Sequence, residues 1–411
     1  MTSIAHEALS GVLSPPSAAP VGELSAWTVG GAEPVGVALP ASPGEVAGVL
    51  AAARAAGVGV VPLGNRTETG CASPALPFVA LGTAGLAGIE AYEPADLTVT
   101  AAAGTPFRDL VEATARHGQW LPFDPPRAEG RTLGGLVATG APGPLAAAFG
   151  SVRDHVLGLT VVTGDGRTLR LGGRVMKNVA GFDLVRLVVG SRGVLGVIVS
   201  ATLRVFPRPE ADHAWVLPGE SLDALIPVAR RIATASVVPA SAVLTRGPGG
   251  SLELLLRVAG AGAGVAVEER RLLGGDLGRA RRLADDERRA RLAADAPGEG
   301  ALVVKASGLP ADLADVLADV EASLPDAMWT ADVLTGRVRA GTHAAVAPTS
   351  LSALRERLRT LGGSLVLERA SPQIVASVGV TGAAGIGAEL AASLRASFDP
   401  HGTLGLRAEV A

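Results

Sequence analysis

The sequence predicts an α+β protein of two domains, and three observations carry that reading. Strand–helix–strand units punctuated by Ser, Pro and Gly occupy the first half, as at Ser42-Pro43-Gly44-Glu45 and Gly57. The stretch Gly172 to Ile198, GGRVMKNVAGFDLVRLVVGSRGVLGVI, gathers glycines around an apolar helix and a strand. After Pro207-Arg208-Pro209 the pattern turns to strands alternating with long charged helices. At 411 residues both parts are long enough to bury a core. The expected division is a loosely held arm over 1–25, a first domain over 26–209 and a second over 210–411.

The elements follow in order. A short strand is expected over Val35 to Leu39, then a helix from Ser42. There Ser is the N-cap, Pro43 takes the first helical position and Glu45 completes a capping box. Gly57 ends the helix and Val58 to Val61 form a strand. This strand delivers the chain into Leu63-Gly64-Asn65-Arg66-Thr67-Glu68-Thr69-Gly70, a place where backbone N–H groups can converge on an anion. A plain surface loop is the competing reading. Leu97 to Ala102 is a strand, and a helix runs from Thr105-Pro106 to Gly118. In residues 121 to 150, Pro125 and Pro126 stiffen the backbone, and Thr132-Leu133-Gly134-Gly135 with Ala138-Thr139-Gly140 leave the main chain open to close approach. Val156 to Val162 and Thr168 to Leu171 read as a hairpin through Asp165-Gly166. A helix over Asp183 to Val189 stops at Gly190, and a strand follows from Val194 to Phe206. The segment Glu268 to Arg291 reads as a solvated helix face.

Composition excludes several roles. A net charge of −3 without a basic face argues against nucleic acid. Aromatic residues are 3% of the chain, too few for stacking platforms. No run of about 18 apolar residues is present, so no transmembrane segment is expected. No basic stretch precedes an apolar one at the start, so no signal peptide is predicted and the expected compartment is the cytosol. Cys71 is the single cysteine, so this chain alone holds no four-cysteine cluster. The six histidines are scattered, and no metal site is expected. His155 sits among glycine-rich segments, near a cofactor or, more simply, in a core. Gly260-Ala261-Gly262-Ala263-Gly264 lacks the G-x-G-x-x-G spacing and reads as a strand-to-helix turn.

Four segments together carry a resemblance: GTPFRDLVEATARHGQWLPFDPP, TLGGLVATG, GSVRDHVLGLTVVTGDGRTLRLGGRVMKNVAGFDL and VGSRGVLGVI. Their order and spacing resemble the FAD-binding subunit of glycolate oxidase, a family with the vanillyl-alcohol-oxidase type (PCMH) FAD domain. The likeness is strong over about residues 30 to 210 and weak beyond. Phe398-Asp399-Pro400-His401-Gly402 looks like the family's closing F-D-P-x-G, but Leu404-Gly405-Leu406-Arg407 replaces its N-P-G-R.

The resemblance implies an FAD-binding domain of two α+β subdomains followed by an α+β, ferredoxin-like cap. It implies non-covalent FAD, because the 63–70 loop has no histidine. Its diphosphate would lie against Leu63, Gly64, Asn65, Arg66, Thr67 and Glu68, with Pro125 nearby and Thr132, Gly134, Gly135, Ala138, Thr139 and Gly140 opposite. Asp154 and Val156 would flank the flavin nucleotide, Gly193, Gly196 and Ile198 would line the adenosine side, and Lys177 and Asn178 would orient the 172–183 loop. The implied activity is oxidation of a small 2-hydroxy acid, glycolate first, with a second flavin subunit and an iron–sulfur subunit as partners. Membrane association would then come only through those partners. No catalytic base is identified. A non-catalytic FAD-binding relay or assembly module, or a self-sufficient 2-hydroxy acid dehydrogenase, are the alternative readings.

Overall fold

The structure, a computed structural model, describes residues 9, 11–12, 23–71, 74–75, 77–173, 182–236, 239–272, 275–293, 296–381 and 386–406. Three strands, β1 (Gly36–Ala38), β2 (Gly59–Leu63) and β3 (Phe78–Gly82), form a parallel sheet in the order β1-β3-β2. The helix Pro43–Ala55 covers it. Half of the expected capping box is present: Ser42 Oγ accepts the Glu45 N–H at 3.2 Å, but the Glu45 carboxylate takes the N–H of Ala41, at 3.0 Å, and the Ser42 hydroxyl, at 3.1 Å, instead of the Ser42 N–H. Val46, Val49, Leu50 and Ala53 pack onto Val60, Val79 and Leu81. Leu9, within the expected arm, joins this core at 1% exposure.

A second sheet is antiparallel. β4 (Ile89–Glu93), β5 (Thr98–Ala102), β7 (Val156–Val162), β8 (Thr168–Gly172) and β9 (Val197–Arg204) stand in the order β4-β5-β9-β7-β8. A short pair, β6 (Gln119–Trp120) with β10 (Phe206–Pro207), lies beside it. The strand expected over Val194 to Phe206 is therefore shorter and interrupted: residues 190–196 turn through left-handed Gly190, Arg192 and Gly193 before β9 starts. The helices Phe107–Ala115 and Leu133–Thr139 contribute Phe107, Leu110, Leu133 and Leu136 to the core under this sheet.

The chain's end returns to the first sheet. Leu404 bridges Val60 in parallel; the Val60 N–H donates to Thr403 O at 2.8 Å and the Gly405 N–H to Val60 O at 2.7 Å. A Cβ on Gly59 would sit 2.9 Å from Gly405 Cα, so the pairing requires these glycines. Asp399, 3% exposed, clamps the turn by accepting the N–H groups of Thr403 and Leu404, each at 2.8 Å. This is the work done here by the F-D-P-H-G ending.

The third sheet has eight antiparallel strands: β11 (Ala211–Gly219), β12 (Ser241–Arg246), β13 (Leu252–Gly260), β14 (Arg281–Arg282), β15 (Leu302–Ser307), β16 (Met328–Asp332), β17 (Arg337–Thr342) and β18 (Ser364–Arg369). Their spatial order is β14-β11-β13-β12-β16-β17-β15-β18. Read as two groups of four, each follows strand–helix–strand–strand–helix–strand with the order 4-1-3-2, the split βαβ arrangement. The expected ferredoxin-like cap is thus doubled, with β12 and β16 joining the halves. The Glu268 to Arg291 segment is not one helix. It divides into the helices Gly262–Leu272 and Asp285–Ala293 around β14, because β11 offers an open backbone edge that Arg281 and Arg282 pair with. The glycine-rich 260–264 segment follows β13, antiparallel to both neighbours, and is the strand-to-helix turn expected.

Candidate functional site

β2 releases the chain at its C-terminal end into the 64–70 loop. Opposite lies the helix Leu133–Thr139, and the 190–195 turn and Leu406 close the sides of a cavity of about 370 Å³. Leu63, Gly64, Asn65, Arg66, Thr67 and Glu68 line it, as do Thr132, Gly135, Ala138 and Thr139. Ten expected residues are therefore brought together. A Cβ on Gly64 would fall 2.3 Å from Thr132 Oγ1, so only glycine lets the loop reach the helix so closely. Arg66 is left-handed, at φ 59°, with its guanidinium 4.3 Å from the Trp27 ring centroid. Among the described residues, the N–H groups of Asn65, Arg66, Thr67 and Glu68 have no acceptor within the protein. Donors free at a cavity wall suit an anion.

The helix opposite behaves differently. The N–H groups of Leu133, Gly134 and Gly135 are already bonded, to Thr105 O, Ala103 O and Thr132 Oγ1. This segment therefore supplies a smooth wall of small residues, and the open donors come from the loop.

Loop and helix are tied by a pair that sequence reasoning did not find. Arg131, 1% exposed, bonds the Glu68 carboxylate, and also donates to Pro126 O at 2.7 Å and Thr139 Oγ1 at 3.3 Å. Burial pushes the Glu68 carboxyl up, but Arg131, assisted by Arg192 and Arg127, outweighs it and holds the group below its ordinary value. Arg153, Arg192 and Arg395 also line the cavity, giving it positive character. No local motif marks these arginines, which come from four separate segments.

The remaining expected residues lie elsewhere. Gly134 packs against Ala103, and Gly140 against Gly190. Asp154 accepts the Ser151 N–H at 2.9 Å and caps its own short helix. Val156 and Ile198 are core residues of β7 and β9. Gly193 abuts Pro62 at the cavity edge, Gly196 is pressed against Val161, and Pro125 is buried beside the cavity-lining Pro126. Lys177 and Asn178 lie outside the described residues. His155 is 1% exposed in an aromatic cluster with Phe123 and Phe206, and burial lowers its pKa. Cys71 is likewise buried, its thiol pushed up to about 12 chiefly by desolvation.

A second cavity, of about 410 Å³, lies beneath the cap sheet. Strand alternation explains its chemistry. Leu302, Val304 and Ala306, Val338 and Ala340, and Leu365 and Leu367 belong to the cap's core cluster. Their neighbours Lys305, Arg337, Arg339 and Glu368 fall on the other face and line the cavity, with Asp332. Across from them stand Asp124, Pro126 and the Pro142–Pro144 segment of the first half. One guanidinium nitrogen of Arg337 is buried without a hydrogen-bond partner among the described residues, and Lys305 Nζ has only Glu368 at 4.0 Å. Burial lowers the Lys305 pKa against the pull of Glu368, and raises Asp332. A third cavity, of about 320 Å³, shares Arg66 to Thr69 with the first and Arg339 and Glu368 with the second. The three form a chain of spaces from the 64–70 loop to the cap sheet.

Comparison with known proteins bears on this arrangement. The profile of the FAD binding domain family matches residues 34–172. The chain carries an FAD binding domain. Relatives similar to the chain include glycolate oxidase subunit GlcE of Escherichia coli (strain K12), 51% identical over 126 residues, 30% of this chain and 36% of that protein. D-2-hydroxyglutarate dehydrogenase of Xanthomonas citri pv. viticola is 36% identical over 203 residues, 49% of this chain and 42% of that protein. Glycolate oxidase subunit GlcD of Bacillus subtilis (strain 168) is 31% identical over 209 residues, 51% of this chain and 44% of that protein. The matches span less than half the length of these relatives. A solved structure of alkyldihydroxyacetonephosphate synthase superposes with a TM-score of 0.68 at 17% identity, covering 91% of this chain and 76% of that one. That likeness is one of fold and reaches past the FAD binding domain into the cap. No helix among the described residues is long and apolar enough to cross a membrane.

Proposed function

We propose that this chain is the FAD-binding subunit of a dehydrogenase that oxidises a small 2-hydroxy acid, glycolate foremost, and passes the electrons to a partner. The observation that carries this is the run of cavities from the amide-rich 64–70 loop to a cation-bearing face of the cap sheet. The residues present suit the cofactor: open N–H groups at 65–68 and the arginines Arg66, Arg153, Arg192 and Arg395 would hold its diphosphate, while Gly135 and Ala138 admit it closely. When bound, FAD supplies a two-electron acceptor. Lys305 and Arg337 would hold the substrate carboxylate, and the Pro142–Pro144 segment would limit water access. In this reading the chain divides at 209/210, a boundary supported by the change from the mixed first half to the doubled cap.

The partners in this reading are a second flavin subunit and an iron–sulfur subunit, because one cysteine cannot hold a cluster. The enzyme would work in the cytosol, reaching a membrane only through those subunits. The test is the absorbance of the purified chain and its anaerobic bleaching by glycolate or D-lactate. A yellow protein bleached only with its partners is expected. A colourless protein refutes the reading, a yellow one never bleached makes the chain an electron relay, and bleaching without partners makes it a self-sufficient dehydrogenase.

A further inference from the structure

We infer that Asp124 is the proton acceptor of the cavity beneath the cap sheet, taking the hydroxyl proton of the 2-hydroxy acid as it is oxidised. This rests on the proposed function, which named no base. Asp124 lines the cavity from the FAD-binding half, opposite Lys305 and Arg337. One carboxylate oxygen, Oδ1, accepts the Leu145 N–H at 2.9 Å, which fixes the group's orientation. The other, Oδ2, is buried without a hydrogen-bond partner among the described residues. Gly143 clamps the residue, since a Cβ there would fall 2.2 Å from Oδ1. A buried, oriented carboxylate oxygen that accepts no hydrogen bond is costly unless it has work to do.

The other acids of this cavity are committed. Glu368 is paired with Arg339, Glu253 with Arg291, and both Asp332 oxygens accept, from the Leu334 N–H and the Thr335 hydroxyl. The charges acting on Asp124 are Arg257, its guanidinium 3.9 Å from Oδ2 and bonded bidentately to Asp212, and Asp332, while Lys305 and Arg337 line the same cavity. Burial pushes Asp124 up to about 6, against the Leu145 N–H and Arg257. At neutral pH the group is then mostly ionised yet basic enough to accept a proton.

In the step, the substrate O–H bond breaks; its proton passes to Asp124 and its electron pair closes the C=O bond. FAD, when bound, would be the oxidant that takes the C–H hydrogen with its electron pair, so that a 2-oxo acid would leave.

The test compares the FAD-loaded wild type with Asp124→Asn, and with Asp124→Ser should Asn impair folding. Oxalate is titrated calorimetrically at pH 6.5 in two buffers of different ionisation enthalpy. An anion entering the cavity raises the Asp124 pKa, so the wild type should take up a fraction of a proton per oxalate bound and the variant none. Equal uptake in both, or no oxalate binding to the wild type at millimolar concentration, overturns the assignment. With the partner subunits present, flavin reduction by D-lactate or glycolate should slow about 10²- to 10⁴-fold in the variant, with the flavin spectrum unchanged. A wild type that no 2-hydroxy acid reduces even with its partner subunits present defeats the proposed function instead, and the proton-uptake comparison still decides Asp124.

Discussion

Replacing Arg131 by Met removes the tie between the 64–70 loop and the helix opposite, and the outcome can be worked from the structure. Arg131 is 1% exposed and Glu68 has 12% of its side chain exposed, so the pair is largely out of water. Removing one partner of a buried pair costs about 3–5 kcal/mol, because the other charge stays buried unpaired. The losses at Pro126 O and Thr139 Oγ1 add to this. The pH dependence has a defined sign. In the wild type the Glu68 carboxyl is held below 4.5, so its contribution is present above that value and lost as pH falls through the folded one. Without Arg131, burial drives the carboxyl above 4.5, and ionising it then destabilises the fold as pH rises. The gap between wild type and variant should be widest near pH 7 and close toward pH 4. Urea unfolding at both pH values measures it. The double variant Glu68→Gln/Arg131→Met should recover part of the loss, since the stranded charge is gone. Strictly additive costs with no pH dependence would refute the assignment of this pair as the clamp.

Other outcomes follow from single positions. Gly64→Ala places a methyl 2.3 Å from Thr132 Oγ1 and should cost about 1–3 kcal/mol with loss of flavin occupancy. Gly48→Ala, on the helix Pro43–Ala55 with nothing within 4 Å of the new methyl, should gain about 0.5–1 kcal/mol and keep its flavin. Asp399→Ala leaves the Thr403 and Leu404 N–H groups buried without an acceptor, about 1–3 kcal/mol for each; faster amide exchange confined to 399–406 and β2 is the expected signature. Cys71, its thiol pushed up to about 12, should resist alkylation at pH 8 until urea unfolds the protein; rapid labelling of the native state would contradict its burial.

Several parts of the molecule were legible in the sequence because the physics there is local. The Ser42 N-cap bond to Glu45 and the Asp165-Gly166 turn join residues a few positions apart, and each is present. Three of the small-residue segments fall around one cavity as their glycines suggested. β3 went unpredicted because FVALG is buried on both faces between two parallel strands and shows no alternation. The doubled cap was hidden too, since its halves share a pattern of strands and helices without repeating a motif in the chain.

The site divides along the same line. By itself, the sequence determined that a glycine-bearing loop follows a buried strand and that one cysteine rules out a cluster of its own. Only the tertiary structure decided which donors are open: the helix 133–139 spends its first N–H groups on Thr105, Ala103 and Thr132, and those of 65–68 have no acceptor among the described residues. It also brought Arg131 to Glu68 across 63 positions, and left one oxygen of Asp124, in the cavity that Lys305 and Arg337 line, without a hydrogen-bond partner among the described residues. Propensity, capping and turn chemistry act over one or two turns of chain. Burial, pairing and the pKa of a buried carboxyl depend on which distant segments meet, and folding alone sets that.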